Sequence, residues 1–567
     1  MTKRTRVTCL VFLGLGLGLA ACSQDRGSEP ATADVEVGQP PNVLLVVLDD
    51  VGYSDLGAYG SEIRTPNIDA LAANGVLLSN FYAAPLCTPT RAMLLTGVNN
   101  HKAGVGTMGH ENVPNLQGVP GYEGYLNDRV APISEILQDA GYSTYMTGKW
   151  DLGFGDDQSP HARGFDKTFA LLPGGAGHLG MMGTFGPTAP YRENGVRIEQ
   201  LPDDYYSTAY FTDRLIEFID GDLEEGRPFF AYLAYSAAHW PLQAPQESID
   251  RYNGVYDDGY GALHAQRLTG LRAKGLISDE VTPAPGVPGS LPWDELGDDE
   301  QRYEARVMQT YAAMIDDMDR YIGKLVDYLK SVEAYEDTVI IVMSDNGAEG
   351  HDVGGILLDA GEWKRECCDD SVENIGNANS YVWASEEWAR VSNAPWRWFK
   401  GFGYEGGIRA PAIIHYAGFE SGVVEPSLVN VKDIAATILD VTGVGHPGAT
   451  HRGKEVFPIE GKSAVPVMTG AADAVHDDDY AMIFEINWRK AIRQGDWKLV
   501  SQAEDLFVRH NPGEVEYEWA LYNLAEDPTE LHDLTEQHAE VFEKMMGHWN
   551  AYVEENGVVM PSSLSGF

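Results

Sequence analysis

Basic residues are scarce in this 567-residue chain: 40 Lys and Arg stand against 85 Asp and Glu, a formal net charge of −45. Such a surface repels phosphate backbones and anionic headgroups, which excludes nucleic acid as a partner. An anionic substrate therefore needs a local cluster of cations to overcome the global field. Long apolar runs are also missing. The stretch Cys9–Ala21 is shorter than the ~20 apolar residues of a membrane-spanning helix. Internal repeats are absent. Cysteine is sparse, five in all, so each one asks for a reason. What remains is ordinary for a globular protein: 44% hydrophobic and 22% charged residues argue against long disorder. The length allows a large core plus a second domain.

Lys3, Arg4 and Arg6 precede the Cys9–Ala21 run, which ends in Leu19-Ala20-Ala21-Cys22. That ending resembles the bacterial lipobox. The resemblance implies a signal peptide over 1–21, lipidation of Cys22 and a polar tether over 22–41. Ser23 after the cysteine resembles outer-membrane sorting. The alternatives are an ordinary secretory signal or a retained anchor. The expectation is an exported protein of the periplasm or cell envelope, lipid-anchored to the outer membrane. Cys367 and Cys368 are adjacent, and both a vicinal disulfide and a pair of thiols stay open. Cys87 is left without an evident partner.

Val43–Leu48 is apolar on both faces, as a central strand of a parallel sheet should be, and it ends in Asp49-Asp50. Val339–Met343 has the same character and leads into Ser344-Asp345-Asn346-Gly347. Phe229–Tyr235 ends near His239. Tyr142–Met146 follows a helical segment, Ile133–Ala140, and runs into Gly148-Lys149-Trp150. Strands alternating with amphipathic segments predict an α/β fold with a large, mostly parallel sheet flanked by helices. In such sheets sites form beyond the carboxyl ends of the strands, where these polar residues fall. Arg302–Ser331 reads as a long helix, and Leu428–Val444 as a helix closing a large domain over 42–445. Short strands at Met482–Glu485, Lys490–Gln494, Lys498–Val500 and Ala520–Asn523, then a helical region over Glu530–Asn556, predict a smaller α+β domain over 446–567 with an antiparallel sheet.

Asp49, Asp50, Asp345 and Asn346 are oxygen donors of the kind hard divalent cations take, whereas zinc favours His or Cys. One such pair is often a helix cap; two on two buried strands point to a metal. Calcium fits best because it tolerates irregular geometry, and magnesium less well. Pro89 and the helix formers after it place Cys87 at a helix start, with Gly97 near the end. Arg91 is one turn on. Together they suit a tetrahedral oxyanion, although a small buried cysteine at a helix start fits the residues equally.

Cys87-Thr88-Pro89-Thr90-Arg91 matches the Cys-x-Pro-x-Arg signature of the formylglycine-dependent (type I) sulfatases, members of the alkaline phosphatase superfamily. The resemblance extends over nearly the whole chain after the tether. It includes Asn42–Asp50, Gly148-Lys149-Trp150, Ala238-His239-Trp240-Pro241, Ser344-Asp345-Asn346-Gly347, and Lys400 ahead of Glu405–Pro411. The long excursion from Gly350 to Lys400 resembles the bacterial arylsulfatases in particular. The resemblance implies that a maturation enzyme converts Cys87 to formylglycine, whose hydrate attacks the sulfur of a small-molecule or carbohydrate sulfate ester. It further implies that Asp49, Asp50, Asp345, Asn346 and residue 87 hold a cation. Arg91, Lys149 and Lys400 would bind the sulfate oxygens, and His239 would protonate the departing oxygen.

The chain departs from the family at one point. The family pattern Gly-Lys-Trp-His-Leu-Gly carries a histidine where this chain has Asp151. On an extended strand residues 149 and 151 share a face, which would turn Asp151 into the pocket. Two like charges ~4 Å apart at an effective dielectric near 20 repel by ~4 kcal/mol. The expectation is turnover weakened by roughly 10²–10³ unless something compensates, with His110 as a local substitute. The rival readings are a phosphate- or phosphonate-ester hydrolase on the same fold, and a catalytically weakened surface protein that binds sulfated polymers.

Overall fold

Residues 40–108, 113–353, 361–501 and 517–562 are described in this computed structural model. The expected signal, Cys22 and nearly all of the tether lie outside them, as does His110. Among the described residues no helix is long and apolar enough to cross a membrane.

A ten-stranded sheet organises the chain. Its order is Val423–Glu425, Val76–Leu78, Ala412–His415, Thr338–Ser344, Asn42–Leu48, Phe229–Ala234, Ser143–Lys149, Lys167–Leu171, Tyr191–Glu193 and Val196–Ile198. The five strands from Thr338–Ser344 to Lys167–Leu171 are mutually parallel. Antiparallel pairing is confined to Ala412–His415 and to the edge formed by Tyr191–Glu193 and Val196–Ile198. The parallel expectation thus describes the centre, and the sheet as a whole is mixed.

The central strands are apolar on both faces because both faces are covered. Leu44, Val46, Leu48, Ile340 and Val342 belong to one core, while Val43, Leu45, Val47, Ile341 and Met343 belong to another on the opposite side. The first core includes the apolar stripe of the long helix Asp298–Ser331, four residues longer at its start than expected. The closing helix is shorter than expected, Val431–Thr442. The Asn430 side chain accepts from the Lys432 amide, and Asp433 reaches back to the Asn430 amide; Gly443, at φ +69°, ends it.

Met482–Ile486, Arg489–Gln494, Trp497–Ser501 and Trp519–Asn523 form the antiparallel sheet in that order. The helix Ala539–Asn556 packs on it through Met545, Trp549 and Tyr552. From Pro40 onward the described residues form one compact unit. Buried Lys498 of the small sheet pairs with Glu405 at 2.8 Å, tying it to the loop that follows Lys400. Cys367 and Cys368 are joined to each other as a vicinal disulfide.

Candidate active site

Four central strands deliver their terminal residues to one edge. Asp49 and Asp50 follow Asn42–Leu48, Asp345 and Asn346 follow Thr338–Ser344, and His239 lies beyond Phe229–Ala234. Lys149 is the last residue of its own strand, which runs three residues further than the sequence suggests. Gly148 makes that possible: its φ is +108°, and a Cβ there would lie 1.8 Å from the Ala234 carbonyl oxygen.

Cys87 begins the helix Cys87–Thr96, which Gly97 ends at φ +64° with its amide on the Met93 carbonyl, 2.8 Å. Arg91, fully buried, donates through Nε and Nη2 to Asp345 Oδ2 at 2.9 and 2.7 Å. Lys149 Nζ donates to both oxygens of Asp49 at 3.0 and 2.8 Å. Lys400 Nζ lies 2.8 Å from Asp50 Oδ1 and 3.3 Å from Glu349 Oε2. Its loop is pinned on both sides, with the Lys400 amide on the Ala348 carbonyl and the Gly401 amide on the Pro85 carbonyl. Asp50 adopts φ +58°, and Tyr311 of the long helix donates to its carbonyl at 2.9 Å.

Asp49, Asp50 and Asp345 can each offer an oxygen such that all lie within 4.8 Å of one another. Burial raises the Asp49 carboxyl well above its ordinary range, Lys149 opposes, and Asp345 and Asp50 add to the rise as like charges. Asp50 is raised by burial in the same way, against Lys400. Burial would also raise Asp345, but Arg91, Lys149 and Lys400 outweigh it and hold that carboxyl low. Asn346 donates through Nδ2 to Asp50 Oδ1 at 2.7 Å, which leaves its Oδ1 buried without a hydrogen-bond partner. Three crowded carboxylates and an orphaned amide oxygen fit a hard divalent cation.

Asp151 lines the cavity with Cys87, as expected, but for another reason. The strand stops at Lys149, and Asp151 sits at φ +59° rather than extended. Its Oδ2 accepts from the Thr88 hydroxyl at 2.8 Å, a partner the sequence gave no hint of. Burial, and then the Asp151 charge, push the Cys87 thiol up to about 12, so an unmodified thiol is protonated at neutral pH and a poor nucleophile.

His239 has its Nδ1 2.7 Å from the Trp240 carbonyl oxygen. A carbonyl only accepts, so Nδ1 carries the hydrogen and Nε2 is left for the cavity. Burial, then Lys400 and Lys149, lower its proton affinity well below the ordinary value. Buried His178 donates from Nε2 to the His239 carbonyl at 2.9 Å and accepts at Nδ1 from Ser207, 2.8 Å. Glu349, besides its contact with Lys400, binds the His351 ring. His178, Glu349 and Thr88 were not singled out by the sequence reading.

Burial lowers the His178 pKa from 6.5 to about 4. The unfolded chain binds the extra proton between those values, so this group costs stability as pH falls from about 6.5 towards 4. The full effect is about 3 kcal/mol. His178→Gln keeps a donor and an acceptor in place and is expected to flatten this part of the profile in urea unfolding at pH 7 and pH 5. A variant with the wild-type slope would refute the assignment.

A sheet with a parallel centre gathers three carboxylates, a guanidinium and two lysines at its carboxyl edge, where open α/β sheets form their sites, an arrangement that fits the hydrolases of the alkaline phosphatase superfamily. The sequence model of the sulfatase family matches residues 41–444, and that of the N-sulphoglucosamine sulphohydrolase C-terminal region matches residues 394–554. The chain belongs to the sulfatase family and is a sulfuric ester hydrolase. It is 42% identical over 535 residues to an uncharacterized sulfatase of Schizosaccharomyces pombe, covering 92% of this chain and 94% of that one. To an arylsulfatase of Klebsiella aerogenes it is 38% identical over 433 residues, 75% of this chain and 91% of the relative. The solved structure of Ps i-CgsB aligns with a TM-score of 0.64 at 25% identity, covering 92% and 94% of the two chains. A phosphonate monoester hydrolase of Agrobacterium radiobacter aligns at 0.55 and 18% identity, covering 91% and 96%, a likeness of fold alone.

Proposed function

We propose that this sulfatase works as an arylsulfatase-type enzyme that uses formylglycine made from Cys87 and a calcium ion held by Asp49, Asp50, Asp345 and Asn346. The observation that carries the proposal is the placement of Cys87 at a buried helix start among Arg91, Lys149 and Lys400, with the carboxylate cluster alongside. A thiol held protonated supports conversion before use. Calcium is preferred to magnesium because these donors sit on two loops, each fixed at the end of a buried strand, and magnesium demands near-ideal octahedral geometry.

The cation supplies Lewis acidity and charge neutralisation at the sulfate. Formylglycine supplies a hydrated aldehyde, with one hydroxyl to attack sulfur and a second to release sulfate. Arg91, Lys149 and Lys400 hold the sulfate oxygens and absorb developing charge. His239 donates from Nε2 to the departing oxygen. Burial is the largest cause of the lowered proton affinity of this imidazole, and the substrate does not relieve it; an anion bound between the two lysines offsets the next cause, their positive field, and so moves the ring towards the protonated form that this step needs. The arylsulfatase name of the Klebsiella aerogenes relative supports organic sulfates of this kind.

The test is turnover of 4-nitrophenyl sulfate beside 4-nitrophenyl phosphate, on protein matured by a formylglycine-generating enzyme, with bound metal measured by elemental analysis. Faster sulfate turnover on calcium-containing protein is the expected result. Preference for phosphate would transfer the chain to the phosphate- or phosphonate-ester reading, and turnover without calcium would overturn the metal assignment. The lipobox-like ending at Cys22 supports export and an envelope lipid anchor. Labelled palmitate on the native protein but not on Cys22→Ala is expected; no label on either would refute the anchor.

A further inference from the structure

A cavity of about 310 Å³ stands over Cys87. Its floor is polar: Cys87, Asp151, His239 and Lys400. Above the floor the wall changes character, with Leu86, Met108, Phe154, Phe185, Pro190 and Trp240. Among the described lining residues Lys400 is the one Lys or Arg, and it is already engaged with Asp50 and Glu349 at the reaction centre. The described residues of the wall therefore offer no lysine or arginine to a second sulfate or a carboxylate, on a chain whose overall charge is −45. For sugar hydroxyls the described side chains of the wall offer two hydroxyls, that of Thr184, which already donates to the Gly175 carbonyl, and that of Thr188.

The exposed large apolar side chains among the described residues include two aromatic ones, Phe154 at 45% and Phe185 at 51% exposure. Both line this cavity, from separate loops. Phe185 meets the Trp240 indole edge to face at 6.3 Å, and that indole in turn lies tilted against the His239 ring at 4.7 Å. The apolar surface is thus continuous from the rim to the group beside the leaving oxygen. Exposed aromatics gathered at a cavity mouth mark a binding surface. The volume is roughly twice the ~150 Å³ of a cavity that holds benzene, so a single ring leaves part of the space unfilled.

Resting on the sulfatase reading above, we propose that the substrate class is the monosulfate of a bulky apolar alcohol, a long alkyl chain or a fused alicyclic ring system. Phe154 and Phe185 act as the jaws that select it over sugar sulfates. An alkoxide leaves far less readily than a phenolate, which also gives the imidazole on the floor a proton transfer to perform. Burial of each added methylene is worth up to about fourfold in kcat/KM until the cavity is filled.

The test uses matured, metal-loaded protein with micromolar butyl, hexyl and octyl sulfates, glucosamine 6-sulfate and 4-nitrophenyl sulfate. From butyl to octyl, kcat/KM is expected to rise about tenfold or more, and octyl sulfate to exceed glucosamine 6-sulfate by at least about tenfold. Phe154→Ser and Phe185→Ser, with unchanged circular dichroism, are each expected to flatten the chain-length slope. A flat series, or preference for the sugar, with 4-nitrophenyl sulfate still hydrolysed, would overturn the proposal and leave the sulfatase reading standing. Without turnover of any ester, the same series is read as calorimetric affinity for the Cys87→Ala chain. There affinity rising with chain length supports the apolar site, and flat affinity overturns it.

Discussion

Cys87→Ala is expected to abolish sulfate-ester turnover, by a factor on the order of 10⁴ or more, with little effect on the fold. Cys87 is buried against Leu86, Met108 and Ile486, and the substitution removes a single sulfur atom there, so the packing loss is about 1 kcal/mol. The chemical loss is much larger, because the other described residues of the floor are otherwise engaged, Asp151 with the Thr88 hydroxyl among them. Lys149 and Lys400 are held protonated: burial is the largest single influence and opposes it, but Asp49 and the other negative groups around Lys149, and Asp50 with Glu349 and the others around Lys400, together outweigh it. His239 has one nitrogen on the Trp240 carbonyl and the other assigned to the leaving oxygen. Cys87→Ser separates nucleophile from aldehyde. Serine has one hydroxyl and no second one to expel sulfate, so at most a single turnover is expected, read as a burst of 4-nitrophenol no larger than the enzyme concentration. Steady turnover by either variant would show that residue 87 is not the nucleophile. Mass spectrometry of the wild-type peptide carrying residue 87 gives the independent check, since unconverted thiol in active protein would end the formylglycine reading.

The strands that build the site were legible because their pattern has a single physical solution. Val43–Leu48 and Val339–Met343 are apolar at every position, and a strand of that kind is stable only where both faces are covered. Acid pairs directly after such strands then fall at the carboxyl edge. The antiparallel edges were not legible: Ala412–His415 and Tyr191–Glu193 are four and three residues long, too short for any period to emerge. Thr88, His178 and Glu349 were missed for a different reason. Each meets the site through a contact with a residue distant in the chain, 63 positions away for Thr88 and Asp151, 61 for His178 and His239, and 51 for Glu349 and Lys400. No local spacing records such a pairing. Position 151 shows the opposite case. The cavity location followed from assuming an extended chain, yet the backbone there is left-handed, so the right placement came from the wrong geometry.

That position carries the second large prediction: Asp151→Asn is expected to lower kcat about 100-fold with KM little changed. From sequence, a carboxylate where the family has histidine reads as a burden, repelling the sulfate. The structure supplies reasons to expect the reverse. Asp151 is held by the Thr88 hydroxyl beside residue 87, and Asn keeps that contact while removing the charge. The repulsion has its counterweight: Asp49, Asp50, Asp345, Glu349 and Asp151 face Arg91, Lys149 and Lys400, and a divalent cation brings five negative and five positive charges level. What the site then lacks is an acceptor for the nucleophile. Arg91, Lys149 and Lys400 only donate, and in the proposed mechanism the Asp49, Asp50 and Asp345 carboxylates would serve the cation and His239 the leaving oxygen. Among the described residues that line the cavity, Asp151 is the carboxylate acceptor that remains, and a histidine can accept in the same place. Asp151→His is therefore expected to stay within about tenfold of wild type. The two explanations differ in sign. If the carboxylate only repels substrate, both variants gain activity; if it receives a hydrogen bond from residue 87, Asn loses activity and His keeps it.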